Sequence, residues 1–256
     1  MKVSCKFELS TVVMALLLSG GLILADEGQP SYLSSDETVE RVYAHLNKGD
    51  LVAASEYLQG LGDDKQVVQT WINVQCDINN IKQNAHASAE IGLAGVDYCL
   101  ERGYKIPAAI MLHNISAFFM PNFDEGVDPA YLPIILNAAR RQVSLRREIN
   151  QPEPLAWALW DLGLAELAAS NAEAAIRALE EGEKIDNDNG DRDAAAWCRL
   201  FIGKTRSKLI PNDKTQGKQD MREAVKIIDE IGQDWEKEEV GKILESMGIE
   251  NQPIED

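Results

Sequence analysis

The amino-acid sequence predicts an all-α protein, an α-solenoid of about five antiparallel helix pairs with a C-terminal capping helix. Three observations lead to this fold class. Ala and Leu are abundant while aromatic residues make up only 6% of the 256 residues, a balance that favours helices over sheets. Apolar residues recur at the spacing of one helix face. Short polar breaks separate these apolar stripes, and no stretch shows the alternation of a half-buried strand.

The first 25 residues are expected to form a secretory signal peptide. Two lysines precede a short, almost wholly apolar run, and the chain turns abruptly polar and acidic after Ala25. This order predicts cleavage after Ala25, followed by a linker over residues 26–34. The alternative is an uncleaved N-terminal membrane anchor. It is less favoured because the apolar run is short and Gly20-Gly21 interrupts it.

The charge of the chain restricts its partners. The formal net charge is -17 and the isoelectric point is near 4.6. Such a surface repels nucleic-acid phosphates and anionic lipids, so we expect no nucleic-acid partner and no stable membrane insertion after signal cleavage. It suits a basic protein or peptide, although acidity also serves plain solubility. The mature protein is expected to be exported, in a bacterial periplasm or secreted.

The repeat region is predicted to cover residues 35–248, with a disordered tail over residues 249–256. Each predicted helix carries one apolar face, as Val39, Val42 and Leu46 do in the first. The predicted pairs are two short helices within residues 36–64, then 66–81 with 86–103, 106–119 with 129–149, 154–168 with 172–185, and 192–209 with 220–231, and a last helix covers residues 234–248.

The second helices share a register. Each contains an Ala followed four residues later by a large apolar residue; the pairs are Ala54 and Leu58, Ala94 and Tyr98, Ala139 and Val143, Ala175 and Leu179, and Ala224 and Ile228. The spacings between these alanines are 40, 45, 36 and 49 residues, so the repeat is irregular. One helix pair cannot bury its apolar face, whereas stacked pairs bury a continuous core.

Residues 159–187, "LWDLGLAELAASNAEAAIRALEEGEKIDN", resemble a tetratricopeptide repeat. Leu162-Gly163 match the Leu-Gly pair of the family pattern, and Ala175 and Leu179 match its later Ala and large apolar positions. The resemblance implies a right-handed superhelix whose concave groove binds peptides or partner proteins. It implies no catalytic residues.

The same stretch departs from the family pattern at three places. Leu159 stands at the Trp position with Trp160 beside it, Glu166 stands at the Tyr position, and Asn187 stands where the family has a closing Pro. Clear similarity therefore covers one repeat, and the other repeats are inferred from periodicity.

The segment "KIDNDNGDRD", residues 184–193, has the composition of a calcium loop. An EF-hand loop needs Gly at its sixth position and Glu at its twelfth. A loop that starts at Asp186 places Gly190 fifth and Trp197 twelfth, so the pattern fails. The segment is predicted to be a turn in which Asn and Gly end one helix and Asp191 caps the next.

His113, Asn114, Trp157, Trp160 and Asp161 are candidate partner-binding residues. The polar pair His113-Asn114 interrupts an otherwise apolar predicted helix and could face the groove. The alternative is a satisfied, partly buried histidine. The tryptophans, with Trp197, could form a binding shelf, since aromatic residues dominate interface energetics, or they could pack in the core between helix pairs.

Arg140 and Arg141 are further candidates, because they belong to an arginine-rich helix in an acidic protein. They could receive an acidic partner segment, or they could be solvated or pair with nearby glutamates. No histidines or cysteines have ligand spacing, so neither a metal nor a cofactor is predicted. Cys76 and Cys99 could form a disulfide, or could be small buried side chains.

Taken together, these features predict a non-catalytic protein-interaction module of the cell envelope that binds a peptide or protein on a concave face. The chain contains no nucleophile elbow, no Gly-rich phosphate loop and no H-E-x-x-H motif. One alternative is a hydrolase on an α/α scaffold, in which two carboxylates with raised pKa would converge in a cleft. Another is a structural protein that self-associates.

Overall fold

The structure, a computed structural model, describes residues 36–249, and every regular element in that range is a helix, which confirms the all-α prediction. The predicted signal peptide, the linker and residues 250–256 of the predicted tail lie outside the described residues. Ile249, the first residue of the predicted tail, is buried, and its backbone N–H donates to the carbonyl of Leu244.

Residues 36–249 form eleven α-helices and one short 3₁₀ turn, Pro211–Asp213. The helices are α1 (Asp36–Leu46), α2 (Leu51–Gln59), α3 (Asp64–Lys82), α4 (Ala85–Glu101), α5 (Lys105–Phe119), α6 (Leu132–Ile149), α7 (Pro152–Ala168), α8 (Ala172–Asn189), α9 (Arg192–Leu209), α10 (Lys214–Ile231) and α11 (Asp234–Ser246). The predicted five pairs and closing helix are all present. The chain divides after Tyr98 into two compact units.

In the first unit, buried aromatic side chains make hydrogen bonds between α3 and α4. Trp71 of α3 is fully buried, and its Nε1–H donates to the carbonyl of Ile91 in α4 at 2.7 Å. The hydroxyl of Tyr98 donates to the carboxylate of Asp64 at 2.8 Å. Helix α1 packs on both α2 and α3. These bonds satisfy polar atoms that would otherwise be costly to bury.

The second unit is a stack in which consecutive helices from α5 to α11 pack on one another as antiparallel neighbours. In addition, α5 contacts α7 and α7 contacts α9. Helices α5, α7 and α9 therefore form one closely spaced layer, here called the first-helix layer. On the opposite side, Arg147 of α6 contacts Glu181 of α8 at 2.7 Å.

The Leu-Gly pair and the Ala register have a packing role. A Cβ atom on Gly163 would lie 2.5 Å from Cγ of Leu179, so Gly163 allows α7 to approach α8 at the position of that leucine. Ala175 is fully buried, as are the alanines at the same register in three other second helices, Ala54, Ala139 and Ala224. Ala94 is only half-buried. Small residues thus mark the helix contacts, as the register predicts.

The break between α8 and α9 is shorter than predicted, because α8 continues to Asn189 instead of ending at residue 185, but its end and the cap of the next helix are as the sequence predicts. Gly190 ends α8 in the left-handed conformation, with φ of 80°. The carboxylate of Asp191 caps α9 by accepting the N–H of Ala194 at 3.0 Å. Burial and the neighbouring Asp191 raise the pKa of Asp186 to about 6.

Besides the end of α8, two helix boundaries differ from the sequence prediction by three residues or more. Helix α6 begins at Leu132 rather than at residue 129, because the Asp128 carboxylate accepts the N–H of Ala130 and forms a turn there. Helix α10 begins at Lys214, six residues before the predicted start at 220. Its extra turns include Gly217, a residue that disfavours helices in isolation. Packing on α9 overrides that preference.

Gly203 of α9 should be intolerant of any side chain. A Cβ atom there would lie 2.5 Å from the carbonyl oxygen of Gly217 and 2.8 Å from the backbone nitrogen of Met221 in α10. We expect Gly203→Ala to lower the free energy of unfolding by about 1–3 kcal/mol. Urea denaturation followed by circular dichroism measures this.

Gly241 of α11 is the matched control, since a Cβ atom there meets nothing within 4 Å. Gly241→Ala should raise the free energy of unfolding by about 0.5–1 kcal/mol, because alanine is the better helix former. Equal destabilisation by both substitutions would contradict the close approach of α9 and α10.

Candidate functional site

The loop that joins α5 to α6, residues 120–131, lies against the first-helix layer. The ring of Phe123 packs beside Trp160 of α7 and beside Trp197 and Phe201 of α9, with centroid distances of 6.2, 5.7 and 5.2 Å. Phe123 itself has φ of 58°, which is rare for a bulky residue. The contacts with α7 and α9 therefore hold this residue in an unfavourable backbone conformation.

The aromatic side chains form one continuous cluster. Trp160 meets Phe201 edge to face, with centroids 5.0 Å apart. Trp197 is buried and stacks on Trp235 of α11 at 6.4 Å. Trp235 is 38% exposed, so the cluster reaches the surface at the C-terminal end of the stack. Offset and edge-to-face arrangements of this kind are the favourable ones for aromatic pairs.

A buried ion pair lies beside the aromatic cluster. The ammonium group of Lys204 is 2.8 Å from Asp124 and 2.8 Å from Glu125 in the loop, and the side chains of Lys204 and Asp124 are 1% and 0% exposed. Lys208 contacts the second oxygen of Asp124 at 3.2 Å. Lys204 also lies 5.2 Å from the centroid of the Phe201 ring. The loop thus supplies an aromatic ring and two carboxylates to a layer that supplies aromatic walls and two ammonium groups.

The far side of Trp197 carries a pair of carboxyl groups. Its Nε1–H donates to Glu236 at 2.9 Å, and the other oxygen of Glu236 accepts the N–H of Gln233 at 2.7 Å. The pKa of Asp193 is raised to about 7, mainly because the group is buried and secondly because of its hydrogen bond with Glu236. The pair attaches the start of α11 to α9.

His113 and Asp161 are brought together across α5 and α7. Nδ1 of His113 lies 2.6 Å from the Asp161 carboxylate, which is buried. Burial lowers the pKa of His113, but the Asp161 carboxylate outweighs it, so the pKa of His113 is raised in spite of the nearby Arg146. His113 is therefore a partly buried histidine with a hydrogen-bond partner, which is the alternative considered from the sequence.

The other predicted site residues are distributed over both sides of the stack. Asn114 is fully buried, while Trp157 and Trp160 are half-buried on α7. Arg140 of α6 is exposed and makes a two-nitrogen contact with the buried carboxylate of Glu166, with Nη2 at 2.6 Å. Arg141 is half-buried on the same helix. The pairing of arginine with glutamate is one of the two interpretations that the sequence allowed.

An open groove of about 400 Å³ runs along α6, lined by Pro133, Leu136, Asn137, Arg140 and Arg141. The aliphatic parts of its lining give it an apolar floor beside two guanidinium groups. It lies on a second helix, whereas His113, Asn114, Trp157, Trp160 and Asp161 belong to the first-helix layer. The predicted residues therefore do not form one site.

Phe123, Asp124 and Lys204 were missed by sequence reasoning. The signal for the loop residues was weak, because "PNFDEGVDPA" reads as an ordinary connection with turn residues. Lys204 gave no signal, since a lysine on a predicted helix is usually solvated. Only the packing of α9 between α8, α10 and the loop makes it a buried charge.

The three cysteines of the described part are thiols. Burial raises the pKa of Cys76 and of Cys99 to about 12, and burial also raises that of Cys198. Thiols with such pKa values are poor nucleophiles at neutral pH. Cys99 and Cys198 are buried and Cys76 is half-buried, which agrees with the packing role considered from the sequence.

Comparison with known proteins gives no family assignment: neither a scan against protein-family models nor a search of curated proteins found a match to this chain. None of the helices between residues 36 and 249 combines the length and the apolar character that a membrane-spanning helix requires.

Asp124 should be far more important for stability than its neighbour Glu125. Asp124→Asn keeps the side-chain shape but leaves the buried Lys204 with a weaker set of partners. We expect a loss of about 3 kcal/mol in the free energy of unfolding, near the lower end for breaking a buried pair, since Glu125 still contacts Lys204. Glu125 is about half exposed, so Glu125→Gln should cost less than about 1 kcal/mol. Urea denaturation of both variants tests the difference, and equal losses would contradict it.

His113 should make stability depend on pH. Because the pKa of His113 is raised in the folded protein, the charged ring stabilises the fold. That contribution is complete below the unfolded pKa of about 6.5 and is lost as pH rises through the folded pKa. The free energy of unfolding should therefore fall from pH 6 to pH 9 by more in the wild type than in His113→Gln.

Denaturation at several pH values, together with NMR titration of the His113 ring, measures the effect. Identical pH profiles for the wild type and His113→Gln would show that the pair with Asp161 does not contribute as stated.

Proposed function

We propose that this protein is a non-catalytic interaction module of tetratricopeptide type, which binds a peptide or protein partner on the first-helix layer of its second unit. The observation that carries the proposal is that this layer already holds a short polypeptide segment, the loop over residues 120–131. The loop is held through side chains in the way that a bound peptide would be, with Phe123 among aromatic rings and Asp124 on two lysines.

The contact between Gly163 and Leu179 supports the tetratricopeptide part of the proposal. The residues that match the family pattern lie where α7 and α8 approach each other, which is what that pattern requires physically. Arrays of such helix pairs present an inner surface that is longer than any single helix face. A partner could therefore be recognised at several points along α5, α7 and α9.

The carboxyl pair of Asp193 and Glu236 bears on the enzyme alternative. A hydrolase would need two converging carboxylates with perturbed pKa that are open to substrate. Here both oxygens of Glu236 accept structural hydrogen bonds, one from Trp197 and one from the backbone of Gln233. We therefore assign the pair to the attachment of α11, and the binding role is the better supported one.

The site of action follows from the N-terminal sequence. A positively charged start, a short apolar run and Ala25 at the break support export, with the mature chain acting in a periplasm or outside the cell. The partner is accordingly a protein or peptide of that compartment.

Site-specific photo-crosslinking tests the binding role. A photoreactive amino acid in place of Trp157, on the first-helix layer, should capture the same partner reproducibly in the native compartment. The matched control position is Arg177 on α8, whose side chain is 69% exposed on the opposite layer. Capture from position 157 alone is the expected result. Equal capture from both positions, or from neither, would count against a binding surface on the first-helix layer.

A further inference from the structure

The α5–α6 loop has features of a ligand that is tethered to its own binding site. We propose that this loop, residues 120–131, is a built-in competitor for the partner, and that the partner presents an aromatic residue followed by two carboxylates. This inference rests on the proposed binding function of the first-helix layer. It identifies the recognition pocket as Trp160, Trp197, Phe201, Lys204 and Lys208, and the ligand as a peptide of aromatic and acidic chemistry.

The receptor side of the pocket is selective for such a peptide. Trp160, Trp197 and Phe201 surround one aromatic ring, with edge-to-face, stacked and tilted contacts that favour aromatic over aliphatic side chains. Lys204 and Lys208 converge on one carboxylate, and Lys204 contacts a second one. Charged hydrogen bonds of this type are strong where water is excluded. The chain has 42 acidic and only 25 basic residues, so two lysines directed at one loop are a specific arrangement.

The loop is closed at its base and held by side chains at its tip. Phe119 and Tyr131 stack at 4.6 Å and bring the two ends of the loop together. The backbone hydrogen bonds recorded for residues 120–131 join residues of the loop and its immediate flanks, such as Glu125 N–H to Asn122 and Tyr131 N–H to Asp128. The contacts described between the loop and α7 or α9 are made by the side chains of Phe123, Asp124 and Glu125. The tip can therefore leave the layer without breaking a helix.

The backbone conformation of the loop also favours its replacement by a bound peptide. Phe123 is held at φ of 58°, and Gly126 follows at φ of 71°. The left-handed conformation costs little for Gly126 but is unfavourable for Phe123. A free peptide that offers the same side chains does not share this constraint, so it starts with an energetic advantage over the loop. The loop compensates through its high effective concentration, which for a short tether is in the millimolar range.

Fluorescence anisotropy with a labelled peptide of the loop's own sequence, MPNFDEGVDPAY, tests the inference on the full-length chain. Wild-type protein should bind this peptide weakly, because the tethered loop competes. The double variant Phe123→Ala, Asp124→Asn releases the loop and should bind the peptide at least ten-fold more tightly. A control peptide with the same two substitutions should bind neither protein.

Two further variants make the result decisive. Phe123→Leu leaves the ion pair of Asp124 and Lys204 in place, so it tests the same competition without removing the partner of the buried lysine. This variant should bind the peptide several-fold more tightly than the wild type. Lys204→Met, added to Phe123→Leu, should remove that gain. Circular dichroism establishes that each variant has the wild-type helix content.

A folded Phe123→Leu variant that binds the peptide no more tightly than the wild type would overturn the inference. Binding that is unchanged by Lys204→Met would overturn it as well. The proposed function is judged separately by crosslinking from position 157. A partner captured there while the peptide fails would leave the binding role in place and show that the loop is only a structural strap.

Discussion

A positive charge buried at the centre of the second unit sets the arrangement around it. Lys204 belongs to α9, which packs against α7, α8 and α10, so its ammonium group is removed from water. A buried, unpaired ammonium group would cost several kcal/mol, on the order of the net stability of a small domain. Asp124 is the fully buried partner that meets this cost, and it comes from a loop 80 residues earlier in the chain. The ion pair therefore fixes where the α5–α6 loop must lie.

The position of the loop then organises the aromatic cluster and the end of the stack. Once Asp124 is bound to Lys204, its neighbour Phe123 is placed against Trp197 and Phe201. Trp197 in turn donates to Glu236, which forms the capping box at the start of α11. The α5–α6 loop and α11 are thus both in contact with α9.

The candidate site was only partly accessible to sequence reasoning. Trp160 and Asp161 were named from the sequence, and both make contacts on the first-helix layer. Their partners could not be named, because the sequence does not tell which side chains on α5, α9 and the loop face them. The groove beside Arg140 and Arg141 illustrates the opposite case, in which a charge cluster visible in the sequence lies on the other side of the stack.

The sequence by itself determined the helices, their pairing and the break at Gly190-Asp191 between α8 and α9. These depend on apolar periodicity and on local residues such as Gly190 and Asp191, whose effects extend over one or two turns of chain. Only the tertiary structure decided that Lys204 is buried and that the α5–α6 loop covers the first-helix layer. Burial of a charge depends on every element that packs around it, and its partner here is distant in the chain, so no local pattern encodes the pair.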